Sequence, residues 1–145
     1  MSVIKDVKNG LKLVNSVLPL LRTADVNGSG VDTQDSIGVA LVAHVGTSGD
    51  TLSGSVYLAL EVEHSDDNSS WSDCADADID VAVTGANTGT FAKIDDAAED
   101  DAIYKCNYIG SKRYVRVVGN LVGTHTNGIS FAAHAVLLPA HLPAT

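Results

Sequence analysis

Asp76, Asp78 and Asp80 stand at alternate positions, the spacing with which a calcium loop begins. Such a loop also needs a glycine at its sixth position for a sharp turn and a bidentate glutamate at its twelfth. Those places hold Val81 and Asn87, so an EF-hand is excluded. A looser cation site among the acidic loops is the remaining metal chemistry, because clustered carboxylates are costly together unless a cation or solvent screens them. His44, His64, His125, His134 and His141 are scattered without HxH or HxxxH spacing, and lone histidines are more often structural or exposed than ligating. The chain has no phosphate-cradling glycine loop followed by Lys-Ser/Thr, no GxSxG and no dinucleotide fingerprint. With no nucleophile, base or metal constellation, the expectation is a non-enzymatic protein with no catalytic residue, no metal and no cofactor.

Cys74 and Cys106 do not form a CxxC pair. Free thiols made in a reducing cytoplasm are the default, with an internal or an inter-subunit bridge left open. Trp71, the single tryptophan, follows a run of serines and aspartates. It either caps the core, as its size favours, or is exposed as an aromatic contact for a sugar or a partner. Arg113 and Arg116 are three positions apart, so in one strand they fall on opposite faces, and either could pair with an acidic segment across a subunit boundary.

The net charge of −9 comes from 9 basic and 18 acidic residues, unevenly placed. Lys5, Lys8, Lys12 and Arg22 lie near one end, Lys105, Lys112, Arg113 and Arg116 near the other, and the carboxylates crowd between Glu61 and Asp101. Basic ends around an acidic middle favour oriented docking; the plainer reading is a set of solvated loops. Nucleic acid is not an expected partner, since it needs a basic stripe. Nor is a membrane, since no apolar run approaches a spanning length. Lys5, Lys8, Lys12 and Asn15 interrupt the first apolar residues, so no secretion leader is expected.

At 145 residues the chain fits one core. Val3, Val7, Leu11, Val14 and Leu18 recur at steps of three and four up to Pro19, which predicts an N-terminal arm over residues 1–24, helical when docked. Asn27-Gly28 supplies a turn suited to positive φ, and the body is expected over 25–145. Period-two alternation predicts strands over 36–45 and 56–63, read as an antiparallel pair, with others over 79–83, 90–94, 102–109, 113–119 and 129–138. The last is apolar on both faces, so it is expected at the centre of a sheet or in a subunit interface. The fold class is all-β, a β-sandwich or jelly-roll-like body with an N-terminal arm.

Three segments carry a resemblance: Asn27-Gly28-Ser29-Gly30-Val31-Asp32, His64-Ser65-Asp66-Asp67-Asn68-Ser69-Ser70-Trp71, and Gly110-Ser111-Lys112-Arg113-Tyr114-Val115-Arg116-Val117-Val118 before the apolar final strand. In this order, over about residues 18–140, the chain resembles small virion structural proteins of tailed bacteriophages, of the capsid-decoration or cement type. The resemblance implies a protein of the capsid surface, made in the host cytoplasm, that binds the major capsid protein and self-associates, often as a homotrimer. It supplies no binding residue. The candidates for capsid or inter-subunit contact come from the arm and the last strands: Val3, Val7, Leu11, Lys12, Arg113, Arg116 and Phe131, with Trp71 as an aromatic contact. A tail or head-tail joining component and a carbohydrate-binding adhesion module are the rival expectations. The latter needs Trp71 exposed with Tyr57 or Tyr104 nearby.

Overall fold

The computed structural model describes residues 6–141. After a single helical turn, α1 (Val7–Gly10), the chain runs through ten strands: β1 (Lys12–Arg22), β2 (Val26–Asn27), β3 (Val31–Asp32), β4 (Ser36–Ser48), β5 (Tyr57–Ser65), β6 (Ser72–Asp73), β7 (Thr90–Ile94), β8 (Ala102–Asn107), β9 (Tyr114–Val122) and β10 (Ile129–Pro139). They form two antiparallel sheets, as the all-β expectation requires. One has the order β1-β10-β4-β8. The other has the order β2-β9-β5-β6, with β3 also on β9 and β7 also on β5.

The period-two alternation of β4, β5 and β10 sends one set of side chains into a shared core. Leu41, Ala43 and Val45 of β4 and Ala133, Ala135 and Leu137 of β10 meet Leu58, Leu60 and Val62 of β5 and Val115 and Val117 of β9. As its composition predicts, β10 is central, flanked by β1 and β4. The segments over 36–45 and 56–63 do not pair with each other, contrary to the hairpin expectation. The first joins β10 and β8 and the second joins β9, β7 and β6, so the turn between them crosses from one sheet to the other. Both edges of β4 are taken by strands that come later in the chain, which sequence adjacency could not reveal.

The arm is corrected more substantially. Among its described residues only Val7–Gly10 is helical, capped by the Asp6 carboxylate, which accepts from the Asn9 N–H. Residues 12–22 are an edge strand of the four-stranded sheet, not an arm outside the body. The three-residue spacing has a local cause. Register shifts after Asn15 and after Val17 let the inward-facing Val14 and Val17 lie three apart, so a bulged strand imitates a helical period. Pro19 is tolerated because the strand is at an edge. A hydroxyl bridge ties this strand to the opposite sheet: buried Ser16 accepts from the Val117 N–H at 2.9 Å and donates to the Ser29 carbonyl at 3.1 Å.

Gly28 serves that bridge rather than a positive-φ turn. A side chain there would lie against Ser16 and the Val117 carbonyl, and Asn27 itself belongs to β2, which pairs with β9. The strand expected over 79–83 is also absent. Asp76–Asp78 forms a 3-10 turn and Ile79 makes an isolated bridge to Tyr108. Its acids are occupied by turns: Asp76 accepts from the Gly89 N–H, Asp78 from Ala75 and Asp80 from Asn107.

Candidate functional site

The densest group of ionisable side chains lies on the outer face of the six-stranded sheet. Strand alternation puts Glu61 and Glu63 of β5 on that face, and register places Asp73 of β6 on one side of Glu63 and Arg116 of β9 on the other. The Arg116 guanidinium donates to Glu63 at 2.6 Å and lies over the Trp71 ring, 4.5 Å from its centroid. Carboxylate oxygens of Glu61, Glu63 and Asp73 fall within 4.8 Å of one another, the one such grouping among the described residues. The group could hold a cation through oxygen ligands, but Arg116 already supplies positive charge to Glu63.

Glu61 is only 3% exposed. Asn120 donates to its carboxylate at 2.7 Å and Asn87, from the turn before β7, at 3.2 Å. Burial pushes its carboxyl up to about 7, Asn87 opposes the shift, and the Asp73 charge adds to it. A carboxyl near neutrality beside ionised neighbours suits a general acid, yet a general acid must reach its substrate and Glu61 is covered. Its raised pKa has a stability consequence instead. Below 4.5 the folded and unfolded chains both carry the proton. Between 4.5 and about 7 only the folded chain keeps it, so stability declines as pH rises through that window and the loss is complete above it. Glu61→Gln keeps an oxygen for both asparagines and removes the titration. It should raise the midpoint of urea unfolding at pH 8 by an amount equivalent to about 1–3 kcal/mol, at about 1.4 kcal/mol per pKa unit, and leave it little changed at pH 4.5. An equal effect at both pH values would refute this account.

A cleft of about 670 Å³ opens at one end of the sandwich, between Ile37, Ile109, Asp80, Asn107, Lys112 and Arg113. Its charged groups are engaged within the chain. Arg113 makes a two-pronged pair with Asp32 at 2.9 and 2.8 Å, Lys112 reaches Asp66 at 3.2 Å, and Asp80 accepts from both the backbone and the side chain of Asn107. The Arg113 hydrogen bond, helped by the Gln34 N–H, holds the Asp32 carboxyl down at about 2.

The acids, within the acidic middle and outside it, are therefore not simply solvated. Asp50 accepts from the N–H groups of Thr126, Asn127 and Gly128, Asp67 from Ser69 and Ser70, and Asp100 from Ser48. Backbone N–H donors lower the carboxyls of Asp50, Asp67 and Asp80. Lowered pKa values mean that this support is complete above the ordinary value of 3.8 and is lost as pH falls below it.

The candidate residues do not converge. Val3 lies outside the described residues, and Val7 is exposed on α1. Leu11 is half-buried and Lys12 exposed at the start of β1. Arg113 sits at the cleft just before β9, while Arg116 lies within β9 on the outer face, so each arginine has an acidic partner in its own chain. Phe131 is overturned as a contact residue. It is 2% exposed, on the inward side of β10, and its ring occupies the space a side chain on Gly119 would need. Trp71 is half-buried on the outer face beside Gly30 and under Arg116, so it caps the charged strip and not the core. No aromatic platform forms around it. Tyr57 is at the other end of β5 under Lys93, and Tyr104 packs against the core from β8. Cys74 and Cys106 are free and buried, and burial pushes both thiols up to about 12, which makes them poor nucleophiles.

Sequence reasoning missed the strip of Glu61, Asp73, Asn87 and Asn120. The only signal was the placement of Glu61 and Glu63 on one strand face. A further feature emerges only from the topology: β1, β4, β8 and β10, which together make up the four-stranded sheet, contain no aspartate or glutamate among the chain's 18. The sequence matches no family model and no curated protein.

Proposed function

We propose that this chain is a non-enzymatic structural protein of a tailed-phage virion, which binds the assembled capsid and stabilises it as a decoration or cement protein. The observation that carries the reading is the division of the surface. One sheet presents an acid-free exterior, in which exposed leucine and isoleucine alternate with Asn15, His44, Lys105 and His134, while the carboxylates gather on the other sheet and on loops whose backbone they fasten. A protein with two chemically distinct, rigid sides suits a lattice element that meets its own copies on one side and a shell on another. The three resembling segments support the same assignment, with the major capsid protein as partner and a homotrimer as the assembled form.

The mechanism is mass action. A protein that binds the closed shell and not its separated subunits stabilises the shell by RT ln(1 + [L]/Kd) per site, about 2.7 kcal/mol when free protein is a hundredfold above Kd. This requires no chemistry at the strip or the cleft. The test is co-sedimentation with expanded, undecorated capsids and, separately, with purified tails, followed by thermal disruption of the decorated shells. Saturable capsid binding with a raised disruption temperature is expected. Binding to tails alone would move the protein to the tail or head-tail junction, and binding to neither would overturn the virion assignment.

A further inference from the structure

We infer that the outer face of the four-stranded sheet is a self-association surface, covered in solution by the same face of further copies of this chain. The register fixes which side chains point outward. On β10 these include Ala132 and Val136, beside Val42 of β4; Leu13 and Leu21 of β1 form one rim and Ile103 of β8 the other. Leu13, Leu21 and Ile103 are each more than half exposed. Asn15, His44, Lys105 and His134 share the face, so it is mixed, with exposed leucine and isoleucine among uncharged and basic groups; large apolar side chains left exposed in a chain with a complete core of its own mark a contact surface.

Three observations identify the occupant as another copy. The first is charge. In a chain of net charge −9, copies repel wherever their carboxylates meet, and this face has none on any of its four strands. The second is shape. The central strands carry the small Gly38, Ala40, Gly46 and Ala132 between Val42, His44, His134 and Val136, while Leu13, Leu21 and Ile103 stand at the rims. A shallow groove of about 210 Å³ runs between Pro19, His44, Gly46 and Ala132, and the leucine rim of a second copy has the size and polarity to fill it. The third is area. Four strands spaced ~4.8 Å apart and about 35 Å long present roughly 700 Å², close to the ~800 Å² per partner of a stable interface. Elsewhere Val7, Val81 and Val122 stand apart, and Ile37 and Ile109 share the cleft with the charged Asp80, Lys112 and Arg113, so the rest of the protomer offers no acid-free counterpart.

This inference does not depend on the virion assignment, and its test needs no capsid. Sedimentation equilibrium of the full chain at tens of micromolar should give a closed oligomer of the 15.0 kDa protomer. Leu13→Glu, at a rim already exposed in the protomer, and Val136→Glu, near the centre, should each raise the dissociation constant more than tenfold while leaving the far-UV circular dichroism unchanged. Val122→Glu, on the other sheet, should leave assembly intact. A wild-type protein that stays monomeric, whether or not it binds capsids, would overturn the inference, as would oligomers indifferent to both face variants. If Val136→Glu fails to fold, Leu13→Glu alone decides.

Discussion

A chain lacking residues 1–18 should fail to fold cooperatively. The truncation removes Lys12, Leu13, Val14, Asn15 and Val17 from their pairing with β10, takes Val17 out of the core and leaves the Val117 N–H without the Ser16 hydroxyl. A buried donor left unpaired costs about 1–3 kcal/mol, and an unburied valine about 1.5–3 kcal/mol. The lost ladder hydrogen bonds add about 1 kcal/mol each. Together these rival the ~5–15 kcal/mol by which a domain is stable. Thermal unfolding followed by near-UV circular dichroism should lose its sigmoidal transition. A truncated protein that melted cooperatively near the full-length temperature would restore the detachable arm. Ser16→Ala isolates the bridge and should lower stability by about 1–3 kcal/mol.

Phe131→Ala should cost about 3–5 kcal/mol, the range for emptying a large aromatic site in a packed core. Phe131 lies between the sheets, with its ring against Gly119 of β9, where a β-carbon would stand 2.8 Å from the Phe131 Cε2. The two positions are complementary, because the bare glycine backbone makes room for the ring. Gly119→Ala should therefore destabilise by overpacking, by about 1–3 kcal/mol. In Phe131→Ala the same alanine should do less harm, since the clash is gone. Urea titration should show a lower midpoint for Phe131→Ala with an unchanged slope. If the variant instead kept its stability and lost self-association, the original view of Phe131 as a contact residue would be the correct one.

Sequence periodicity revealed most strands but not their neighbours. β4, β5 and β10 announce themselves by alternation, and the two-sided apolar character of β10 correctly places it at the centre of a sheet. Pairing was illegible where it depended on distant segments: β4 and β5 follow one another in the chain yet lie in different sheets. The bulges of β1 disguised a strand as a helical stripe, because an inserted residue changes the apparent period without changing the strand's role. The charged strip was partly visible, since Glu61 and Glu63 share a parity. Asp73, Asn87 and Asn120 reach it from three separate segments, and no local spacing encodes that. The acid-free face needed the topology as well, since its four strands are separated in the chain by loops and by strands of the other sheet, and only the pairing brings them together.

The order of strands in the four-stranded sheet also dictates when the molecule can be finished. β1 has no partner in that sheet until β10 is inserted, and until then β4 is paired along one edge only, with β8. During synthesis the early strands must wait with bare edges and apolar flanks, the condition in which nascent β-proteins mispair with one another. Assembly of this sheet is thus a closing step that waits for β10, and a ribosome stalled before Ile129 would release a product able to form β5–β9 and β4–β8 pairing but not the join of β1 and β4 through β10.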